Sequence, residues 1–210
     1  MKLVIVNGGP RLRGWNTAAM LEAAANGARA EGAEVETVCL YTLDFKGCRS
    51  CFACQRVGAA ARCAARDALQ PVLDRILEAD ALLVGSPIYF GDVTGETRAF
   101  FERLWFPGLA YDKARTVKYG KRIPVGLVFT MNVPSDAQYA PLFNQISGTM
   151  ERFFGPTEIV TATDTLQFDD YSRYVSDMFD AEAKRRRHET EFPKDLARAE
   201  ALGRRLAAGI

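Results

Sequence analysis

Four cysteines lie close together in the first third of the chain, at Cys48, Cys51, Cys54 and Cys63. Two residues separate each neighbouring pair among the first three, and eight residues separate the third from the fourth. Four thiolates at such spacing can bind one [4Fe–4S] cluster, and a closed zinc site can use the same four ligands. Free cysteines are also often simply buried. The spacing therefore leaves a cluster, a zinc ion and no metal as open interpretations.

A second candidate site follows the first predicted strand. The apolar run at residues 3–6 ends at Asn7, and a glycine-rich stretch then leads into a predicted helix. Backbone N–H groups of such a loop and the positive end of a helix together favour an anion. The loop lacks the Gly-Lys-Ser/Thr ending of a Walker loop and the Gly-x-Gly-x-x-Gly pattern. We expect a phosphate group to contact Gly9, Pro10, Arg11, Asn16 and Thr17.

No set of acid and base side chains stands out. The chain has one histidine, His188, which lies in a polar stretch and is expected at the surface. A Ser-His-Asp hydrolase is therefore excluded unless this residue serves as its base. We predict no catalytic side chain, and we expect Cys39 to lie in the core.

Five apolar stretches alternate with helical patterns along the chain. Strands are predicted at residues 3–6, 35–40, 81–85, 122–130 and 157–162. Helices are predicted at residues 17–31, 67–78, 94–105, 138–154 and 177–208, with Asn16 and Asp67 as N-caps and Pro193 interrupting the last helix. Strands that are separated by helical crossovers favour a parallel sheet covered on both faces.

Three of the predicted loops follow strands, at residues 8–16, 86–91 and 130–132. In open parallel sheets, ligands bind outside the carboxyl ends of the strands. We therefore expect these three loops to converge at one edge of the sheet.

The same loops resemble those of the NAD(P)H-dependent FMN reductases. The loop after the first strand is similar to the family's Gly-Ser-Pro-Arg-x-x-Gly-Asn-Thr segment, with Gly9 at the usual serine position. Residues 85–91 resemble the family's Ser-Pro-x-Tyr-Phe-Gly loop, which lies along the flavin ring, and residues 130–132 occupy the place of a third flavin-contacting loop. The resemblance implies FMN contacts at Ser86, Pro87, Ile88, Tyr89, Phe90, Gly91, Met131 and Asn132.

The cysteine segment resembles the iron–sulfur flavoprotein branch of this family. Together these resemblances imply an α/β, flavodoxin-like fold with a doubly wound five-stranded parallel sheet and helices on both faces. They also imply bound FMN, NAD(P)H as electron donor, a quinone, flavin or redox-protein acceptor, and a homodimer. The cysteines leave open whether a [4Fe–4S] cluster takes part.

Two other functions remain open at this stage. One is an electron carrier without its own NAD(P)H site, although flavodoxins of that kind are usually acidic. The other is a scaffold or sensor that has lost the flavin. The predicted organisation is an FMN-binding domain at residues 1–176, with a cysteine-containing loop at 44–66 and a short helix near Gln55, followed by a helical extension at 177–210.

Composition narrows the class of protein further. The chain has 27 basic and 26 acidic residues, so it offers no global positive field for nucleic acid. The basic run at residues 184–187 is interpreted as a solvated helix face. No apolar run reaches the roughly 18 residues of a membrane span, and the start of the chain does not resemble a signal peptide. An odd number of cysteines, five, argues against a disulfide framework. We expect a cytoplasmic protein.

Overall fold

The computed structural model describes residues 1–209. Its strands are β1 Lys2–Asn7, β2 Glu34–Cys39, β3 Ala81–Tyr89, β4 Asp92–Val93, β5 Val125–Thr130 and β6 Thr157–Ala162. Five of them form a parallel sheet in the order β2-β1-β3-β5-β6, and β4 pairs antiparallel with the end of β3. Counted without β4, this is the 2-1-3-4-5 order of flavodoxin-like sheets. The predicted fold class is confirmed.

Six α-helices lie within residues 1–209. They are α1 Asn16–Ala30, α2 Gln70–Glu78, α3 Gly95–Trp105, α4 Ala140–Phe153, α5 Ala181–Thr190 and α6 Phe192–Ala208. Five of them cover the two faces of the sheet, and the sixth, α5, packs on α6. Successive strand residues point to opposite faces, so Leu3 and Ile5 pack with the α1 and α6 core while Val4 and Val6 pack with the α2, α3 and α4 core. Two hydrophobic cores result, one on each side of the sheet.

Helices α1 and α6 cross at two glycines. A Cβ atom on Gly27 would lie 2.0 Å from the carbonyl oxygen of Glu200, and one on Gly203 would lie 1.9 Å from that of Ala24. Real Cβ atoms do not come so close, so any side chain at either position would push the helices apart. The helical tail is thus packed directly on the first helix.

Two predicted helix caps are wrong. Asn16 is the first residue of α1, not its N-cap, and its amide donates to the Leu166 carbonyl oxygen instead. Asp67 lies three residues before α2 begins and is bound to Arg103. Asn16 binds a distant partner instead, whereas the Asp67 carboxylate binds both Arg103 and, at 3.2 Å, the N–H of Leu69, which directly precedes α2.

Other boundaries also shift. β5 starts at Val125, directly after Pro124, rather than at residue 122, and β3 extends to Tyr89. Pro193 separates α5 from α6 as predicted, because proline is tolerated in the first turn of a helix. A short 3-10 helix at Ala53–Gln55 confirms the one predicted near Gln55.

The basic run on α5 is not wholly solvated. Lys184 is buried, and its ammonium group binds Asn132 and Asp164, whereas Arg185 and Arg186 are exposed. His188 is only partly exposed and stacks on Phe192. Cys39 is half-buried at the end of β2. No helix within residues 1–209 is long and apolar enough to cross a bilayer.

Candidate functional site

The loops after β1, β3 and β5 meet at the carboxyl edge of the sheet, as predicted. They surround a pocket of about 130 Å³ together with a segment after β6. The pocket is lined by Gly9, Pro10, Arg11, Trp15, Asn16, Thr17, Pro87, Ile88, Tyr89, Thr130, Met131, Asn132, Thr165, Leu166 and Gln167. Ten of these residues are among the contacts predicted from the sequence.

The loop after β1 is held by β3, by the Asn7 side chain at the end of β1 and by the N-cap residue of α3. Gly8 N–H donates to the Gly85 carbonyl at 2.8 Å, and Gly9 N–H donates to Asn7 Oδ1 at 2.8 Å. The Thr94 hydroxyl donates to the Gly8 carbonyl at 2.7 Å. A Cβ atom on Gly8 would lie only 1.8 Å from Thr97 Oγ1, so the chain needs glycine there. These contacts direct the loop toward the start of α1.

The N-terminus of α1 opens into this pocket. The first N–H groups of a helix have no partner within it, and the positive end of the helix dipole favours an anion. In the first turn, the buried Thr17 hydroxyl shares a 2.7 Å hydrogen bond with the Thr130 hydroxyl at the end of β5. This bond fixes the start of α1 against the end of β5, which is two strands away from β1 in the sheet.

The segment after β6 was not predicted to belong to the site. Its backbone accepts two hydrogen bonds from the β1 loop, from Asn16 Nδ2 to Leu166 O at 2.8 Å and from Arg11 Nη1 to Gln167 O at 2.7 Å. The Arg11 guanidinium also stacks 4.0 Å above the Trp15 ring. No sequence motif marks this segment. Its position directly after a parallel strand does predict that it lies at the ligand-binding edge of the sheet.

A buried side-chain oxygen in this pocket has no partner. Gln167 Oε1 is buried and accepts no hydrogen bond within residues 1–209. Leaving a buried acceptor unpaired costs free energy, so a ligand that donates a hydrogen bond there would stabilise the pocket. Together with the α1 N-terminus, this fits a ligand such as FMN, which carries both a phosphate and N–H and hydroxyl donors.

Three predicted contacts lie beside the pocket rather than on its wall. Ser86 is fully buried, and its hydroxyl donates to the Pro87 carbonyl and accepts from Thr94 N–H. Phe90 and Gly91 form the turn between β3 and β4 with positive φ angles of 51° and 86°. The Phe90 side chain points fully into solvent. These residues shape the β3 loop.

Lys184 is a positioning residue that sequence reasoning missed. Its Nζ donates to Asn132 Oδ1 at 2.6 Å and to the Asn132 carbonyl at 2.9 Å, and it also pairs with Asp164. The side chain is 8% exposed. One buried ammonium group thus joins the loops after β5 and β6, and it fixes the side chain of a predicted flavin contact.

The four clustered cysteines line a second cavity, of about 570 Å³, between the irregular segment after β2 and the end of α3. Here this is called the cysteine cavity. Glu102 accepts a hydrogen bond from Cys48 N–H at 3.0 Å, and Lys118 Nζ donates to the Cys54 carbonyl at 2.6 Å. Ser50 and Phe52 adopt positive φ angles, which fold the segment back over the cavity.

Arg103 lines the cysteine cavity with a buried side chain. Its buried guanidinium makes a two-pronged contact with Asp67 at 2.7 and 3.1 Å and donates to the Lys46 carbonyl at 2.8 Å. Its Nε also donates to Cys63 Sγ at 3.0 Å. The hydrogen bond from Arg103 holds the pKa of Asp67 below its usual range. One side chain therefore joins three points of the cysteine segment.

The thiols sit in different environments. The Ala53 N–H, followed by the charge of Arg49, lowers the pKa of the exposed Cys51 thiol. Burial raises the pKa of the Cys54 thiol. Within residues 1–209, no three His, Cys, Asp or Glu side chains converge closely enough for a single metal ion.

A cubane cluster makes a different demand, because each of its irons takes its own thiolate. Four thiols around one cavity supply the donor set of a [4Fe–4S] cluster. The cavity therefore holds the ligand set that such a cluster requires.

Residues 1–129 match the model of a protein family described as NADPH-dependent FMN reductase. An iron–sulfur flavoprotein from Archaeoglobus fulgidus is 37% identical over 103 residues, which cover 49% of this chain and 48% of that protein. An iron–sulfur flavoprotein from Methanocaldococcus jannaschii is 32% identical over 103 residues, covering 49% and 51% of the two chains. The matches thus span about half the length of these relatives.

Solved structures are similar over nearly the whole chain. The NAD(P)H:quinone oxidoreductase from Methanothermobacter marburgensis has a TM-score of 0.72 at 18% identity and covers 98% of both chains. An azoreductase from Bacillus anthracis has a TM-score of 0.71 at 13% identity, covering 98% of this chain and 99% of that one. At such identities the likeness establishes the flavodoxin-like fold.

Proposed function

Since the chain belongs to the NADPH-dependent FMN reductase family, we propose that it is an oxidoreductase that passes electrons from NAD(P)H through bound FMN to an acceptor. The observation that carries this proposal is the convergence of the β1, β3, β5 and β6 loops on one pocket at the α1 N-terminus. FMN, when bound, supplies the redox chemistry, while the protein binds and orients it.

Each loop has a role in holding the cofactor. Backbone N–H groups at residues 9–17 bind the phosphate, with Arg11 adding positive charge. Pro87, Ile88, Tyr89, Met131 and Asn132 line the pocket and would hold the flavin ring, and the unpaired Gln167 Oε1 would accept a hydrogen bond from the cofactor. Hydride transfer to a bound flavin needs no acid or base side chain at a fixed place, because the cofactor carries the chemistry.

We further propose that Cys48, Cys51, Cys54 and Cys63 hold a [4Fe–4S] cluster through which electrons leave the flavin one at a time. The observation that supports this is the shared cavity that all four line. The iron–sulfur flavoproteins that match this chain carry the same pairing of cofactors in their names.

The charge around the cysteine cavity favours a protein acceptor. Segments 44–66 and 106–121 carry nine basic and two acidic residues, whereas the rest of the chain has 18 basic and 24 acidic residues. The segments touch where Phe52 packs on Phe106, with ring centroids 5.7 Å apart. Here they are called the basic face. Such a face steers an acidic redox protein toward the cavity.

A second candidate function, that of an electron carrier between proteins without an NAD(P)H site, is favoured by the same basic face. The two functions differ in one measurement, which is whether NADH or NADPH bleaches the bound flavin. We also propose that the protein works as a homodimer in the cytoplasm, as the family resemblance implies.

The first experiment is anaerobic purification followed by absorption spectroscopy and iron and sulfide analysis. Bound FMN gives bands near ~450 nm, and NADPH or NADH should bleach them. A broad brown shoulder with four iron atoms and four sulfides per FMN supports the cluster. Cys63→Ala should lose iron and keep FMN, whereas Cys39→Ala, outside the cavity, should keep both. A colourless protein that takes up no added FMN would contradict the main proposal.

A further inference from the structure

Arg103 is an unusual residue to find fully buried. Its side chain is 2% exposed and belongs to α3, where the neighbouring buried side chains Phe100, Phe101 and Leu104 are apolar and Arg103 is the buried charged residue. Removing a guanidinium from water costs free energy that its pairing with a carboxylate repays only in part. Stability alone therefore gives a weak reason for an arginine here, and its contacts indicate another role.

The guanidinium group of Arg103 binds Asp67 through its two terminal nitrogens and Cys63 through its Nε. Asp67 takes one N–H from each terminal nitrogen, at 2.7 and 3.1 Å, which fixes the plane of the group. This leaves Nε–H directed at Cys63 Sγ at 3.0 Å. The fork geometry is specific to arginine, because an ammonium group cannot hold a carboxylate in two places and present a third donor in the same plane.

The acceptor of that third bond is one of the four candidate cluster ligands. Hydrogen bonds to the ligand sulfurs are among the factors that set the reduction potential of an iron–sulfur cluster. A positively charged donor stabilises the more negative, reduced form and so raises the potential. Outer partners of metal ligands also orient them, and their loss typically weakens metal binding about 10–100-fold.

Helix α3 connects this contact to the flavin pocket. At its start, the Thr94 hydroxyl holds the Gly8 carbonyl of the β1 loop, and near its end Arg103 holds Cys63. Nine helical steps separate the two residues, which is roughly 14 Å at ~1.5 Å per residue. One rigid element therefore sets the spacing between the two sites.

We propose that Arg103 is a positioning residue for the cysteine site, which fixes Cys63 as the fourth ligand and raises the reduction potential of a cluster bound there. Asp67 acts through Arg103 by orienting its guanidinium. This inference rests on the cluster part of the proposed function.

The test compares Arg103→Gln, Arg103→Lys and Asp67→Asn with the wild type in anaerobically reconstituted holoprotein. The control is Arg29→Gln, at an exposed arginine of α1 that pairs with Glu22. Iron per FMN after exposure to a chelator measures ligand retention, and redox titration followed by electron paramagnetic resonance measures the cluster potential. The FMN content of each variant shows whether the flavin pocket at the start of α3 remains intact.

We expect Arg103→Gln to retain iron about 10-fold less well and to show a more negative cluster potential, with FMN content unchanged. Arg103→Lys keeps the charge and should restore part of the potential but not the retention of iron. Asp67→Asn should shift both measurements in the same direction as Arg103→Gln, by less. The Arg29 control should match the wild type.

The results that would overturn this inference differ from those that would overturn the proposed function. Equal iron retention and equal potential in the wild type and Arg103→Gln overturn this inference and leave the proposed function standing. A wild type that binds FMN but no iron overturns the cluster and this inference together, while the flavin proposal survives. If Arg103→Gln does not fold, Asp67→Asn decides, and an unchanged potential in that variant overturns the inference.

Discussion

A single pair of hydroxyl groups joins the start of α1 to the end of β5. The Thr17 and Thr130 side chains are buried and share a hydrogen bond of 2.7 Å beside the proposed phosphate position. Thr17→Val keeps the shape of the side chain and removes its hydroxyl. We expect the Kd for FMN to rise about 10-fold, or ~1.4 kcal/mol, because the first turn of α1 is then no longer held in place at the proposed phosphate position.

Quenching of FMN fluorescence during titration of the apoprotein measures this Kd. The control is Thr149→Val on α4, which removes a hydroxyl that bonds only to the Gln145 carbonyl of its own helix. An unchanged Kd in Thr17→Val would show that the hydroxyl pair does not support the phosphate loop.

The buried ammonium group of Lys184 links the loop after β5 to the loop after β6. Lys184→Met retains most of the side-chain volume but leaves Asn132 and Asp164 without their shared partner. We expect a loss of about 1–3 kcal/mol in the free energy of unfolding, because removing one member of a buried ion pair strands the other. Urea unfolding curves measure it. Arg186→Met on the same helix, 63% exposed, should change stability by less than about 0.5 kcal/mol.

The close packing of α1 on α6 predicts how stability responds to an added side chain at their crossing point. Alanine is a better helix former than glycine by about 1 kcal/mol, yet Gly203→Ala should destabilise the protein by about 1–3 kcal/mol. Its new Cβ atom would lie 1.9 Å from the Ala24 carbonyl oxygen. Gly148→Ala on α4 is the matched control, since no atom lies within 4 Å of its new Cβ, and it should stabilise. Thermal unfolding that ranks the two variants in the reverse order would contradict the packing of α6 on α1.

The ion pair between Asp67 and Arg103 joins the cysteine segment to α3, and we expect its contribution to stability to depend on pH. Asp67 has a pKa lowered by its hydrogen bond from Arg103. Its contribution to stability is fully present above the unfolded-state pKa of about 3.9 and disappears as pH falls through the lower folded-state pKa. The Tm difference between wild type and Asp67→Asn should therefore shrink as pH falls from about 6 to 3. A constant difference over that range would mean that the ion pair contributes nothing.

At the scale of the whole molecule, charge is distributed unevenly although the total is only +1. Lys113 and Arg115 lie exposed on the basic face and belong to no ion pair within residues 1–209. Lys113→Glu with Arg115→Glu should slow electron transfer to an acidic ferredoxin about 10-fold or more at low salt. The rate with a neutral quinone should stay the same.

Stopped-flow reduction of each acceptor measures these rates. Arg185→Glu with Arg186→Glu makes the same change in net charge on α5 and should leave both rates unchanged. Equal slowing by the two double variants would indicate a general effect of net charge and would argue against docking at the basic face.

Much of the fold could be predicted because its signals are local. Runs such as residues 3–6 and 81–85 are apolar on both faces, as buried parallel strands must be, and the glycines after β1 mark a loop. The convergence of three loops followed from strand direction alone. The helix cap at Asn16 failed because its side chain binds the distant Leu166 carbonyl. The cap at Asp67 failed because α2 begins only at Gln70, while Asp67 is held by the distant Arg103 and by the Leu69 N–H.

The sequence by itself determined the alternation of strands and helices, the loops that follow β1, β3 and β5, and the set of four cysteines, because each depends on residues that are near neighbours in the chain. Only the tertiary structure decided which distant side chains complete the two sites. Arg103 lies 40 residues from Cys63, Lys184 lies 52 residues from Asn132, and Arg11 lies 156 residues from Gln167. Such pairs are set by strand order and helix packing, and no local pattern encodes which partners those place together.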